Sequence, residues 1–163
     1  MAELARTIRE SDVEVGSLAI FWLGQAGFVY KTPDDTIVYV DPYLSDCAER
    51  LHGFKRIMRS LIKAEEVEAD FVVSTHAHVD HFDLDTIPIL ARNPRIRFIG
   101  APDCRGGYQR LGVPAERFAI LERGESLGIG SLALTGVYAD HADLAPDALG
   151  VVLTVGDMKV WQV

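Results

Sequence analysis

The sequence contains few cysteines: Cys47 and Cys104 are the only two among its 163 residues. They lie far apart and outside the spacings of metal-binding or redox motifs, so we expect two reduced thiols in a cytoplasmic protein. The sequence also lacks an apolar run as long as a membrane span, and its first residues do not form the pattern of a secretory leader. These absences argue against a disulfide-stabilised secreted protein and against a membrane-spanning one.

Basic residues are also scarce, with 16 Lys and Arg against 24 Asp and Glu and a net charge of −8. Nucleic acids and anionic membranes bind basic surfaces, so we expect neither of them as a partner. We predict a small-molecule substrate instead. The length and the apolar fraction of 48% suit one globular domain, which we assign to residues 1–163.

One short segment departs from this acidic average. Residues 50–63 contain no acidic side chain and five basic ones: Arg50, Lys55, Arg56, Arg59 and Lys63. Such a segment could hold an anionic group of the substrate, for example a phosphate. A solvated surface, or a contact between the subunits of a homo-oligomer, is the commoner explanation for a charge run of this kind.

Runs of β-branched and aromatic residues, separated by Gly, Pro and Asp turn signals, predict a strand-rich chain that opens as an antiparallel meander. Helical patterns appear between the later strands, which favours a layered α/β or α+β domain. The predicted strands are 18–23, 28–31, 36–40, 71–75, 97–100, 118–121, 126–129, 131–137, 149–155 and 158–163. The predicted helices are 3–11, part of 48–63, 84–92, and one that runs from a cap at Asp103 to Leu111.

Ligand-type side chains crowd the loop that follows the apolar strand 71–75. Within six residues this loop contains His76, His78, Asp80 and His81. If strand geometry continues, His76 and His78 point the same way and can share one cation. Three His and one Asp exceed the three protein ligands of a single catalytic zinc, so the pattern favours two metals with the ligands divided between them.

His141 is the fourth histidine of interest, and it follows Asp140 directly after strand 131–137. A metal site that still lacks a third imidazole makes His141 a candidate ligand. Mixed imidazole and carboxylate ligands suit zinc, manganese or iron. His52 has no such context, and we interpret it as a surface residue.

The pattern His76-x-His78-x-Asp80-His81 after an apolar strand resembles the signature of the metallo-β-lactamase fold hydrolases. Residues 22–28, 41–46 and 139–147 are similar to the branch that contains L-ascorbate-6-phosphate lactonase. The resemblance covers nearly the whole chain from about residue 18 onward. It implies an αββα sandwich, of which this chain would be the N-terminal part.

The resemblance also implies roles for individual residues. His76, His78 and His141 would hold one metal, and Asp80 and His81 would belong to the second. Asp80 could in addition orient the nucleophile. Asp41, at the end of its strand, would orient a ligand without binding metal itself, although it could equally serve only to start the Asp-Pro turn.

The implied reaction is the opening of an ester or lactone bond by a metal-bound hydroxide, with manganese favoured in the lactonase branch and zinc in many relatives. Family members carry a Gly-Asp pair after a strand like 158–163, whose carboxylate bridges both metals, and a further His much later. This sequence contains neither, which predicts a truncated chain. A phosphodiesterase of the same fold stays open as an alternative, because the same two-metal site can hold a phosphoryl group. The missing residues leave open a second alternative, a non-catalytic metal-binding fragment.

Overall fold

The computed structural model describes residues 3–163, with every side chain in that range except that of Asp143. The described chain forms short helices and two β-sheets, and none of its helices is long and apolar enough to cross a membrane. The α-helices are α1 (Glu3–Glu10), α2 (Cys47–His52), α3 (Thr86–Leu90) and α4 (Arg105–Arg110). The strands are β1 (Ala19–Gly24), β2 (Gly27–Lys31), β3 (Ile37–Val40), β4 (Phe71–Ser74), β5 (Arg97–Gly100), β6 (Phe118–Ile120), β7 (Ser126–Ile129), β8 (Leu132–Tyr138), β9 (Leu149–Val155) and β10 (Met158–Gln162).

The strands form one sheet of six, in the order β1-β2-β3-β4-β5-β6, and one of four, in the order β10-β9-β8-β7. The first three strands pair antiparallel, which confirms the predicted meander. From β3 to β6 the pairing is parallel. The second sheet is antiparallel throughout, and its β9–β10 pair is the predicted hairpin.

The burial patterns explain how the two sheets share one core. All of β3 and most of β4 are buried, as expected for central strands covered on both faces. In β8 buried and half-buried side chains alternate, so one face of the second sheet faces the core. Buried side chains of both sheets belong to one apolar cluster. Because β3 and β4 run parallel, their carboxyl ends meet at the same edge of the sheet, next to the core.

Two helices differ in detail from the prediction. The helix expected over 84–92 is confined to α3, where Pro88 is tolerated because it lies in the first turn. The cap expected at Asp103 is absent, because α4 begins only at Arg105. The Asp103 carboxylate instead accepts a hydrogen bond from the backbone N–H of Ala77, at 3.0 Å.

Candidate metal centre

Three histidines from two loops meet at the carboxyl edge of β4. His76 and His78 lie in the loop that follows β4, and their ring centroids are 4.7 Å apart. His141 lies beyond the end of β8, and its ring centroid is 4.7 Å from that of His76 and 4.8 Å from that of His78. One ring nitrogen of each residue lies within 4.8 Å of the other two. We call these three residues the imidazole cluster.

The imidazole cluster contains a buried polar atom that the protein leaves without a partner. His76 is only 4% exposed, and its Nε2 has no hydrogen-bond partner among the described residues. Burial, together with the neighbouring histidines His81, His78 and His141, lowers the pKa of His76 to about 3. The imidazole is therefore neutral, the form that binds a cation. Three convergent imidazoles with an unpaired buried nitrogen fit a transition-metal ion.

His81 stands beside this cluster but has its own partner. Its ring centroid is 4.0 Å from that of His76, and its Nδ1 lies 2.8 Å from Oδ2 of Asp41. Burial works to lower the pKa of His81, but the hydrogen bond and the negative charge of Asp41 outweigh it and raise that pKa. The other nitrogen, Nε2, lies 3.9 Å from a carboxylate oxygen of Asp80, so the two residues of the expected second site are neighbours.

Asp41 joins the ends of β3 and β4. Its backbone N–H donates to the carbonyl of Val73 at 2.8 Å, and its carboxylate accepts the N–H of Thr75 at 2.8 Å and the Thr75 hydroxyl at 2.7 Å. The residue is 2% exposed and has φ of +49°, a conformation that is uncommon outside glycine. An uncommon backbone conformation of this kind persists when surrounding contacts hold it in place. Here three groups bind the Asp41 carboxylate: the N–H and the hydroxyl of Thr75, and Nδ1 of His81. We call Asp41, Thr75 and His81 the carboxylate network.

The side chain of Asp80 is 45% exposed, so it lies at the mouth of the centre rather than in its interior. A cavity of about 250 Å³ adjoins the imidazole cluster and the carboxylate network. Its lining includes Thr75, His76, His81, His141, Leu149 and Val163. His52, interpreted from sequence as a surface residue, is exposed.

Two residues that hold the centre in place were not found from the sequence. One is Thr75 of the carboxylate network. The other is Asp83, which is 1% exposed and accepts the N–H of Leu44 and both the N–H and the hydroxyl of Ser45. Asp83 also accepts the N–H and the hydroxyl of Thr86, at 3.1 and 2.7 Å.

Burial alone would raise the pKa of Asp83, but the hydrogen bonds from Ser45 and Thr86 hold it below its usual value. This charged carboxylate fastens the loop after Asp41 to the loop that carries the histidines. An Asp three residues before Thr86 and just ahead of a helix is typical of a residue that satisfies the first helical N–H groups. This spacing is the sequence feature that could have predicted the bond from Asp83 to Thr86.

Comparisons with known proteins agree with this architecture. The model of the family described as "Beta-lactamase superfamily domain" matches residues 19–155. A metal-dependent hydrolase of Polynucleobacter asymbioticus is 29% identical over 131 residues, which cover 79% of this chain and 44% of the relative. A Salmonella heidelberg protein named "Probable L-ascorbate-6-phosphate lactonase UlaG" is 25% identical over 179 residues, covering 96% of this chain and 49% of the relative.

Among solved structures, the metallo-β-lactamase fold protein YhfI from Bacillus subtilis matches with a TM-score of 0.56 and 18% identity, covering 83% of this chain and 52% of that one. The chain spans about half the length of the curated relatives it matches. The family match and the fold likeness confirm the resemblance drawn from the histidine motif. The chain belongs to the beta-lactamase superfamily and has the metallo-β-lactamase fold.

Proposed function

We propose that this protein is a metal-dependent hydrolase that opens ester or lactone bonds. The observation that carries the proposal is the imidazole cluster, in which three ring nitrogens lie within 4.8 Å of one another and the buried Nε2 of His76 lacks a partner. A core position of this kind is costly for an unpaired polar atom, and a bound cation removes that cost.

In the proposed centre His76, His78 and His141 hold one divalent metal, and His81 and Asp80 contribute to a second. When bound, such a metal would supply a hydroxide nucleophile near neutral pH and would polarise the carbonyl under attack. Zinc and manganese suit these ligands best, and iron is compatible with them. The unpaired His76 nitrogen supports the first site, and the 3.9 Å separation of His81 Nε2 from Asp80 supports the second.

The protein's own residues orient the proposed centre. Asp41 fixes the ring of His81 through Nδ1, which leaves Nε2 as the ligand nitrogen. Thr75 in turn fixes Asp41 through two hydrogen bonds. The half-exposed carboxylate of Asp80 is available to orient the attacking water by accepting a hydrogen bond from it.

The relative named as a lactonase supports the ester and lactone class. A second candidate function is metal binding without catalysis. It is favoured by the difference between the two sites, since three nitrogens converge in the imidazole cluster whereas, among the described residues, the second site has only His81 and Asp80. A small-molecule substrate and a cytoplasmic location complete the proposal, the latter supported by two buried free cysteines.

Hydrolysis assays on the metal-loaded chain test the proposal. The protein is loaded separately with zinc, manganese and ferrous iron and supplied with an aryl ester, a small-ring lactone and an aryl phosphodiester. We expect metal-dependent opening of the ester or lactone that is lost in His78→Ala. Hydrolysis of the phosphodiester alone would identify a phosphodiesterase instead. Stoichiometric metal without hydrolysis of any substrate would favour the binding function.

A further inference from the structure

A second cavity, of about 360 Å³, adjoins the mouth of the metal centre. Its lining includes His78 and Asp80, which our proposal assigns to the two metal sites. It also includes His52, Phe54 and Lys55. A molecule that fills this cavity therefore contacts both the proposed reacting centre and the residues at the end of α2.

Part of the cavity lining is apolar and is held by contacts with buried residues. Ala48 of α2 and Val79 of the histidine loop belong to this part. They pack with Tyr43 and Cys47 in a small cluster of buried side chains. The Cys47 thiol donates to the carbonyl of Val79 at 3.3 Å, and the N–H of Ala48 donates to the Tyr43 hydroxyl at 3.2 Å. These contacts hold α2 at a fixed position beside the metal centre.

The end of α2 directs the next two residues to the cavity. Gly53 has φ of +76° and donates its N–H to the carbonyl of Glu49 at 2.8 Å, a left-handed helix end that suits glycine. The chain turns there, so Phe54 and Lys55 line the cavity together with Ala48 of the same helix. Phe54 is 73% exposed, and its ring centroid is 6.2 Å from that of His52. An exposed aromatic ring at a cavity is available to cover an apolar ligand group.

The charge of the basic segment 50–63 indicates which class of ligand the cavity binds. Two of the five basic residues in this segment already have partners within the protein. Arg50 pairs with Asp85 at 2.6 Å, and Arg56 stacks on Tyr43 with its guanidinium carbon 4.4 Å from the ring centroid. Within residues 3–163 Lys55 has no ion pair. Lys55 is thus an unpaired cation in the lining of this cavity, in a chain whose net charge is −8.

We propose that this cavity binds the non-reacting part of the substrate, and that the substrate is an anionic compound with an apolar group. Lys55 pairs with its phosphate or carboxylate, and Phe54 covers its apolar part. This inference rests on the proposed function, which places the reacting ester or lactone at the metal centre that His78 and Asp80 belong to. The negative charge of Asp80 repels the anion and so favours an orientation in which the anionic group lies at Lys55.

Ligand binding tests the inference without any need for turnover. Phenylphosphonate and methylphosphonate are titrated calorimetrically into the zinc-loaded chain and its variants. Lys55→Gln is expected to weaken both ligands about fivefold, the size of one charge-assisted contact at a partly exposed site. Phe54→Ala should weaken phenylphosphonate alone, because only that ligand has a ring to cover.

The matched control is Lys63→Gln, which removes the same charge from the same basic segment outside the cavity lining. It is expected to change neither affinity by more than about twofold. Equal losses in Lys55→Gln and Lys63→Gln would show diffuse attraction and overturn the inference, as would an unchanged affinity in Lys55→Gln. Selective binding with no hydrolysis would sink the proposed function alone, whereas hydrolysis with no Lys55 effect would sink this inference alone.

Discussion

The imidazole cluster and the carboxylate network lie side by side, yet they differ in how the protein satisfies them. In the network Asp41 receives hydrogen bonds from Thr75 and from His81, so a buried charge is compensated by protein groups. In the cluster the buried Nε2 of His76 has no partner in the described chain. The network is therefore complete once the chain has folded, whereas the cluster still contains a buried nitrogen without a protein partner among the residues that the structure describes. A buried polar group without a partner is thus a more specific indicator of a ligand than a hydrogen-bonded one.

The largest expected effect separates the two regions by metal affinity. His141→Ala removes one of three converging imidazoles, so the affinity for zinc should fall by more than about 100-fold, beyond the loss typical of residues that only orient a ligand. His81→Ala should leave the tighter zinc site within about tenfold of its original affinity. Competition with a chromophoric chelator measures both. Equal losses in the two variants would mean that cluster and network form a single site.

The next effect concerns folding stability and the network. Asp41→Asn keeps the shape of the side chain and tolerates the left-handed backbone, but it removes the charge that His81 and Thr75 bind. The free energy of unfolding should fall by about 2–4 kcal/mol in metal-free protein, because one buried hydrogen-bonded carboxylate is lost. Urea denaturation measures it. The control Asp157→Asn, in the exposed β9–β10 turn, should stay within about 0.5 kcal/mol of the parent. Equal stabilities of the two variants would contradict a structural role for the network.

The smallest effect is a pH dependence of the folding stability, because the pKa values of His76 and His81 are shifted in opposite directions. His76, with its pKa lowered to about 3, binds its proton less readily in the folded than in the unfolded chain. Its contribution to stability is therefore complete above pH 6.5 and falls as the pH drops, by about 1 kcal/mol at pH 5.5. The pKa of His81 is raised, so its contribution is present below pH 6.5 and is lost as the pH rises through its folded value.

Urea denaturation of the metal-free protein between pH 5.5 and 7.5 resolves these opposite signs. His76→Gln should reduce the loss of stability on the acid side, and His81→Gln should increase it. The same pH dependence in both variants would show that Asp41 does not set the charge of His81. Work in the presence of a chelator keeps bound metal from masking the proton equilibria.

The strands of the chain were predictable because their apolar, β-branched runs are bounded by Gly, Pro and Asp. The same signals predicted the β9–β10 hairpin and the opening meander, and all ten strands lie close to their predicted positions. The start of α4 was not predictable, since Asp103 is equally suited to a helix cap and to a bond with a distant backbone N–H. The structure has the second arrangement, with Ala77 as the donor.

The candidate site likewise contains residues that were predictable from the sequence and residues that were not. The hexapeptide from His76 to His81 signalled a metal centre from sequence alone, because four ligand-type side chains crowd one loop. The approach of His141 to within 4.8 Å of that loop was expected less directly, from the need for a third imidazole and from the resemblance, since about sixty residues separate them along the chain. The contribution of Asp83 was not predicted, because its partners Leu44 and Ser45 lie about forty residues earlier in the chain.

The sequence by itself determined which ligand-type side chains crowd the loop from His76 to His81, and its motifs indicated the family. The tertiary structure decided which partner each side chain has. Asp41 bonds to Thr75 because the parallel alignment of β3 and β4 brings the ends of these strands together, and its second partner is His81 of the following loop. Lys55 lines a cavity next to His78 because Gly53 turns the chain at the end of α2. Such pairings depend on contacts between distant segments, which local propensity and spacing do not encode.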